Sequence, residues 1–436
     1  METSMSPFFF GYLRNRKNMK VLLKQVTIIC PQAAFHKQVK DILITDGIIT
    51  DIADSIKTEN TQTITGNNLH ASIGWMDIFA DFAEPGNEHR ETIATGSNAA
   101  AAGGFTDVML VPDNNPTVDS KSQVEFLIQR SKELAINIHP IAAITKSQKG
   151  EALAEMYDMY DSGAVAFSDG RKPIQEAGVL LKALQYVAAK NAVIIQLADD
   201  KSISNGGLMH EGIMSTQLGL PGIPAMAEEL MVARDIALLG YTKSKLHITG
   251  VSTKKSIALI AAAKKDGLQI TCSVTPYHLF FCDEDLKSYD TNLKLNPPLR
   301  TSADVQALQA ALRNGTIDCI ASHHNPQSWD DKTCEFEYAK NGMITLQTMY
   351  STINEILQNN EALVKIFTEN NRAIFGIEIP KIAIGSKACI TLYEPETEYI
   401  FEEKAILSKS KNSAFVGKKL KGKVVGIINK NKVVLN

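Results

Sequence analysis

The chain has 436 residues, 44% hydrophobic and 21% charged, so it can bury a large core and is not of the disordered class. Its net charge of −3 offers no electrostatic attraction for nucleic acid, which we exclude as a partner. The six cysteines are scattered without a CxxC pair, as is typical of reduced thiols in a cytoplasmic protein. No apolar run reaches the roughly 18 to 20 residues that a membrane-spanning helix needs, so we expect no membrane association.

Residues 1–18 form an extension before the first strand-like pattern. The stretch "SPFFFGYLRNRKN" places its charges after its apolar residues, which is the wrong order for a signal peptide. Met19 is a candidate for the true start, because "MKVLLKQVTII" opens the first strand pattern.

Both ends of the chain read as short strands separated by turns. Near the amino end these are "KVLLKQVTII" and "KDILITDGIITDIA", and near the carboxyl end "ACITLYEPE" and "GKVVGIINKNKVVLN". We predict that residues 19–70 and 376–436 pair into one small composite β-domain beside a central domain of residues 71–375.

The central segment alternates strand-like runs with stretches of helical spacing, such as "AGVLLKALQYVAAKN". The strand-like runs, in order, are "WMDIFADF", "FTDVMLVP", "INIHPIAAIT", "GAVAFSD", "AVIIQLAD", "KLHITGVS", "QITCSVTP" and "IDCIASHH". Eight strand-then-helix units predict an α/β fold, a (β/α)8 TIM-like barrel, whose functional groups lie after the carboxyl ends of the strands. An open doubly wound sheet is the alternative, but no GxGxxG follows the first strand.

The first barrel strand places Asp77, Phe79 and Asp81 on one face, because alternate side chains of a strand point the same way. The other predicted strand ends carry Asp113, Asp169, Leu197, Asp199, Gly250, Tyr277, His278, His323 and His324. A hydrolytic metal site needs about three to five convergent imidazole or carboxylate ligands, and this mixture is a poor set.

Several motifs in chain order resemble one known family, the dihydroorotases of the amidohydrolase superfamily. They are "EPGNEHRETIATGSNAAAAGGFTDVMLVPDNNP", "LKLNPPLR", "GTIDCIASHHNP" and "LSKSKNSAFVGKKLKGKV". The resemblance runs from about Met19 to the carboxyl end. It implies an amidohydrolase-like barrel, a role in pyrimidine biosynthesis and, in the family, a zinc-dependent hydrolysis of dihydroorotate.

The chain departs from the family's pattern at the metal site. Where the family has metal ligands or catalytic side chains, this sequence has Phe79, Asp81, Leu197, Gly250, His323 in place of the catalytic aspartate, and Gln327. The family's arginine position is Ala83, while Asp169 keeps the carboxylate of the fourth strand. We therefore expect no metal and no catalytic residue, with zinc present only if a rearranged site exists.

Three functions remain open from the sequence. We favour a non-catalytic dihydroorotase homologue, a structural or regulatory partner of aspartate transcarbamoylase and itself an oligomer. The alternatives are an active metal-dependent dihydroorotase or cyclic amidohydrolase, converting dihydroorotate to N-carbamoyl-aspartate at a rearranged site, and a small-molecule binding protein that uses the barrel mouth.

The remaining polar candidates divide between binding and structural roles. Asp113, Asn296 and Arg300 resemble substrate-contact positions, although "NPPLR" also reads as a turn with two prolines. A relocated metal site using His323 and His324 is disfavoured, because adjacent strand residues face opposite ways. His247 reads as a hydrogen-bonded core histidine.

Overall fold

The computed structural model describes residues 19–436, so the extension predicted for residues 1–18 lies outside the described residues. Within the described part, no helix combines the length and the apolar character needed to cross a membrane.

Strands from both ends of the chain form one eight-stranded sheet. Its strands are β1 (Lys20–Ile28), β2 (Val39–Thr45), β3 (Ile48–Ala53), β4 (Gln62–Ile64), β5 (His70–Ile73), β16 (Cys389–Ile400), β17 (Lys419–Asn429) and β18 (Lys432–Leu435). β16 lies between β17 and β5, and β5 pairs with β1, so the two chain ends meet in the middle of the sheet. The sheet includes β5 up to Ile73, beyond the predicted boundary at residue 70.

The apolar residues of these strands explain why the two ends associate. Val21, Leu23 and Ile28 of β1 pack in one buried cluster with Leu392 of β16 and Ile428 of β17. Neither end could bury this face alone, because a sheet with one apolar face needs a partner layer or further strands.

Eight parallel strands form the barrel, in the order of the chain. They are β6 (Trp75–Ala80), β7 (Phe105–Leu110), β8 (Asn137–Ala142), β9 (Ala166–Phe167), β10 (Val193–Leu197), β13 (Lys245–Thr249), β14 (Ile270–Val274) and β15 (Cys319–Ile320). A parallel bridge between Ala80 and His324 closes the barrel, and the Asp81 N–H donates to the His324 carbonyl at 2.9 Å. The predicted fold class, including the composite β-domain, is confirmed.

The interior of the barrel is a packed core rather than a channel. Met76, Met109, Ile141, Ile195 and Ala321 meet there in one buried cluster. A filled interior leaves only the ends of the strands for chemistry.

Helices follow the strands and cover the barrel. They are α1 (Ile93–Ala102), α2 (Lys121–Ser131), α3 (Met156–Asp161), α4 (Ala177–Ala188), α5 (Lys201–Ser204), α6 (Ile213–Leu218), α7 (Met226–Thr242), α8 (Lys254–Lys265), α9 (Ser302–Arg313), α10 (Trp329–Lys332), α11 (Met349–Leu357), α12 (Asn360–Lys365) and α13 (Asn371–Phe375). α4 shows why: Leu180, Ala183, Leu184 and Val187 recur at helical spacing and are buried. A short parallel pair, β11 (Met209–His210) and β12 (Gly222–Ile223), lies in the long connection from β10 to β13.

Candidate functional site

Asp81, just after β6, lies at the carboxyl end of the barrel in a network of charges. It is fully buried, and its Oδ2 lies 2.8 Å from Nη2 of Arg171 and 3.5 Å from Nη2 of Arg90. Burial alone would raise the pKa of Asp81, but Arg171 and Arg90 lower it below its usual value. Asp81 is therefore a charged carboxylate committed to two guanidinium groups.

Asp113, after β7, shares the same guanidinium. Its Oδ2 lies 3.2 Å from Nη2 of Arg171, and its Oδ1 accepts from the Gln148 side chain at 2.6 Å. The sequence predicted Asp113 and Asp81 at neighbouring strand ends, and the structure brings them together through Arg171.

His323 lies at the carboxyl end of the barrel, between the Phe79 ring and the Thr249 hydroxyl. Its ring stacks on Phe79 with centroids 4.5 Å apart, and its Nε2 is 2.8 Å from the Thr249 hydroxyl. A Cβ built on Gly250 would lie 2.7 Å from the His323 ring and 3.3 Å from Leu197. Burial, with His278 and Arg171 nearby, holds the pKa of His323 well below 6.5, so the imidazole is neutral.

Asp169, after β9, is turned to the neighbouring loop. One oxygen accepts the backbone N–H groups of Ile144 and Thr145, both at 2.9 Å, and the other accepts from the Thr145 hydroxyl. Burial raises the pKa of Asp169 to about 6 despite these hydrogen bonds, and the charge of Asp113 adds to the rise. Hydrogen bonds from Ile144 and Thr145 therefore occupy both oxygens of Asp169.

The predicted substrate contacts separate in the structure. Asn296 lines a small mouth cavity of about 30 Å³, together with Phe79, Arg171, Tyr277 and His323. Arg300 lies outside that lining: it is 2% exposed, its Nε donates to the Ser252 hydroxyl at 3.0 Å, and its Nη2 lies 3.7 Å from Glu228. The cavity that Asn296 lines has room for about one water molecule.

The two adjacent histidines lie in separate surroundings, as the alternation of a strand predicts. His324 Nε2 lies 3.6 Å from Glu91, and its ring meets Phe82 edge-on, whereas His323 faces the mouth. His247 is a hydrogen-bonded core histidine, with Thr271 at 2.8 Å and Ser273 at 3.0 Å. His247, His323 and His324 each have separate partners, so they do not form a relocated metal site.

The residues at the mouth do not fit a metal ion. Among residues 19–436, no three His, Cys, Asp or Glu side chains are grouped so that they could hold one. Phe79, Leu197 and Gly250 offer no lone pair, and the two available carboxylates are paired with Arg171. The expectation that the chain needs no cofactor stays a prediction.

Sequence reasoning missed Arg171, Arg90 and Gln148. Arg171 follows the "FSDG" motif directly, so its position after a strand end was a usable signal. Its direction was not predictable from spacing, because it depends on the turn at Gly170, where φ is +61°.

A larger cavity, of about 800 Å³, lies at the other end of the barrel strands. Asp107, His139 and Arg372 line it, and the Asp107 carboxylate is bound by both other side chains, at 2.9 and 2.6 Å. Barrel chemistry takes place at the carboxyl ends of the strands, so the small mouth remains the candidate site.

The chain is similar to known proteins over nearly all of its length. A family profile described as Dihydro-orotase-like matches residues 72–256. A "Dihydroorotase" of Pelotomaculum thermopropionicum is 40% identical over 410 residues, covering 93% of this chain and 96% of that protein. A "Dihydroorotase" of Caldanaerobacter subterraneus subsp. tengcongensis is 40% identical over 412 residues, 93% and 95% of the two chains.

Among solved structures, an "L-Hydantoinase (Dihydropyrimidinase) from Arthrobacter aurescens" superposes with a TM-score of 0.82. It covers 95% of both chains at 22% sequence identity, which supports the fold alone.

The prediction that this chain is not an enzyme, a pseudoenzyme, was wrong. Relatives 35–40% identical over nearly the full chain are named for a hydrolase, which points to an enzyme. The departures lie at a few ligand positions, whereas the likeness extends over 93% of the chain.

Proposed function

The chain belongs to the dihydroorotase family, and from that premise we propose that it acts on the dihydroorotate and N-carbamoyl-aspartate pair in the cytoplasm. The observation that carries this proposal is the 40% identity to a named dihydroorotase over 410 residues. The carboxyl end of the barrel is the place for the reaction, because that is where such barrels hold their chemistry.

The residues at the mouth would act on the ring without a metal ion. Opening a cyclic amide requires water to attack the carbonyl carbon while a proton moves to the leaving nitrogen. His323, neutral because its pKa is held well below 6.5, can accept a proton from water at Nε2 or Nδ1. Such a weak base makes turnover slow, since base catalysis is most efficient when the pKa lies near the working pH.

Entry of the ring requires the mouth to open. The small cavity is bounded by Leu295 and Asn296 from one loop and by Asn325, Asn341 and Gly342 from the connection between β15 and α11, which includes α10. A six-membered ring is much larger than the single water that fits, so these two segments must separate when the substrate binds.

A direct assay tests the proposed activity. Purified protein is incubated with dihydroorotate, and separately with N-carbamoyl-aspartate, with and without a zinc chelator. We expect slow turnover that the chelator does not change and that His323→Gln abolishes. His89→Gln is the control, because His89 is exposed, and it should keep the turnover. Absence of turnover in both directions contradicts the proposed activity, and loss of turnover on chelation contradicts the metal-free site.

We also propose a stable complex with aspartate transcarbamoylase, formed away from the mouth. Exposed aromatic side chains support an interface: Trp329 and Tyr338 are each 74% exposed, and Tyr338 lines a groove with Leu218 and Tyr289. A stable interface buries on the order of 1,600 Å².

Size-exclusion chromatography of the two purified enzymes tests this partnership. We expect co-elution that Trp329→Ala with Tyr338→Ala weakens, and the same columns report whether the chain alone is the predicted oligomer. Separate elution at micromolar concentrations contradicts the complex.

A further inference from the structure

We propose that the Arg171 guanidinium is a built-in cation of the barrel mouth and takes the structural place of a divalent metal ion. The inference deepens the proposed function, on which it rests for the location of the site. Its test measures folding and ion binding rather than turnover.

The guanidinium bridges two carboxylates from different strand ends. Nη2 of Arg171 lies 2.8 Å from Asp81 Oδ2 and 3.2 Å from Asp113 Oδ2, so one nitrogen contacts both. The Asp81 side chain is fully buried and that of Asp113 is 9% exposed. Two buried carboxylates that contact the same nitrogen would repel each other if no cation lay between them.

The backbone holds Arg171 in this place. Its N–H donates to Asp113 Oδ2 at 3.3 Å, so Asp113 binds both the main chain and the side chain of the same residue. Gly170 permits this approach: it has a φ of +61°, and a Cβ there would lie 2.2 Å from Asp113 Oδ1. The turn is therefore shaped around the Arg171–Asp113 contact.

A metal ion would lack further ligands at this point. The other convergent positions are Phe79, Leu197 and Gly250, and His323 fills the space beside Gly250. A guanidinium needs no such shell, because its own N–H groups supply charge and hydrogen bonds to carboxylates. The chemistry of the mouth thus suits an organic cation better than a metal.

Removal of the guanidinium should create a dependence on added cations. In Arg171→Ala, Asp81 keeps Arg90 at 3.5 Å, whereas Asp113 loses its ion pair. We expect a thermal unfolding midpoint several degrees below that of the wild type. Millimolar methylguanidinium, or a divalent cation such as Ca²⁺, should raise the unfolding midpoint of this variant part of the way back, and the increase should saturate with ion concentration. The wild type should show no saturable stabilisation by either ion.

Arg130→Ala is the matched control, because Arg130 also pairs with a carboxylate, Glu84 at 3.0 Å, but is 49% exposed. It should lower the midpoint little and show no rescue. If Arg171→Ala does not fold, the proposal is tested by comparing the stability of Arg171→Lys with that of Arg171→Gln and by elemental analysis of the wild type. The lysine keeps one positive charge, so Arg171→Lys should be the more stable of the two variants.

Three results overturn the proposal. They are stoichiometric zinc in the wild type that Asp81→Asn releases, an Arg171→Ala midpoint no lower than that of Arg130→Ala, and an Arg171→Ala protein that no cation stabilises. None depends on turnover, so failure here is distinguishable from failure of the proposed activity.

Discussion

At Gly250 the backbone has a φ of +68°, and a Cβ would lie 2.7 Å from the His323 ring. A methyl group there must strain the backbone and also displace the imidazole. We expect Gly250→Ala to lower the free energy of unfolding by about 2–4 kcal/mol, as the sum of these two costs. Urea unfolding followed by tryptophan fluorescence measures it.

Gly376→Ala separates the two costs, because Gly376 has a similar φ of +66° and a Cβ added there would meet no atom within 4 Å. It should show the backbone cost alone. In the Gly250→Ala background, His323→Ala should recover the contact cost, giving a coupling of about 1 kcal/mol or more. Additive effects of the two substitutions would show that the ring does not fill this space.

Asp235 on α7 predicts a pH effect on stability. Its carboxylate is fully buried, Oδ1 lies 2.7 Å from Nη2 of Arg234, and burial raises its pKa from 3.8 to about 7. A raised folded pKa contributes stability below pH 3.8 that is lost as the pH rises to about 7. We expect Asp235→Asn to gain stability relative to the wild type between pH 5 and pH 8, by on the order of 2 kcal/mol.

Thermal unfolding of both proteins at the two pH values checks this expectation. The exposed Asp161→Asn is the control, because Asp161 pairs with Lys190 at the surface and its side chain is 62% exposed. A difference between Asp235→Asn and the wild type that does not grow with pH would show that the carboxylate is charged throughout.

One buried ion pair joins β7 to α13. Nη2 of Arg372 lies 2.6 Å from Asp107 Oδ2, and the Arg372 side chain is 1% exposed. Arg372→Met leaves the buried Asp107 carboxylate with its His139 contact but without the guanidinium, and we expect a loss of about 3–5 kcal/mol in the free energy of unfolding. Adding Asp107→Asn should return part of it, since the buried charge is then gone.

Chemical denaturation of the single and double variants measures this pair. Lys190→Met removes the surface pair with Asp161 and should cost less than about 1 kcal/mol. If Arg372→Met costs no more than Lys190→Met, the pair does not hold α13 against the barrel.

The order of elements was predictable because each barrel strand is a short apolar run followed by a helical stretch. All eight predicted runs contain the observed barrel strands, which are β6 to β10 and β13 to β15. The connection from β10 to β13 was not predicted in detail: α5, α6, β11 and β12 are two to six residues long. Elements this short carry too few residues for a periodic pattern.

The site was predictable in its positions but not in its contacts. Asp81, Asp113 and His323 were placed at the mouth because parallel barrel strands bring their carboxyl ends together. The ion pairs that Asp81 forms with Arg171 and Arg90 were not predicted. Arg171 lies 90 positions and Arg90 lies 9 positions after Asp81 in the chain. Pairing over a long sequence distance leaves no local pattern.

The two ends of the chain are joined through one hydrophobic core. Leu392 of β16 is fully buried in the cluster that holds Val21 and Ile28 of β1. The composite β-domain should therefore open as one unit, with residues from both ends exposed together, while the barrel stays closed.

Hydrogen exchange of Leu392→Ala tests this cooperative unit. The substitution leaves a cavity and should cost about 2–5 kcal/mol. We expect faster exchange of amides in β1 and β5 as well as in β16, because β16 pairs with β5 and β5 with β1. Amides of β10, inside the barrel, should exchange at the wild-type rate.

Ile400→Ala is the control, because Ile400 lies on β16 like Leu392 but is 61% exposed. It should leave the exchange of amides in β1, β5 and β16 unchanged. Faster exchange confined to β16, with β1 still protected, would show that the two chain ends fold as separate units.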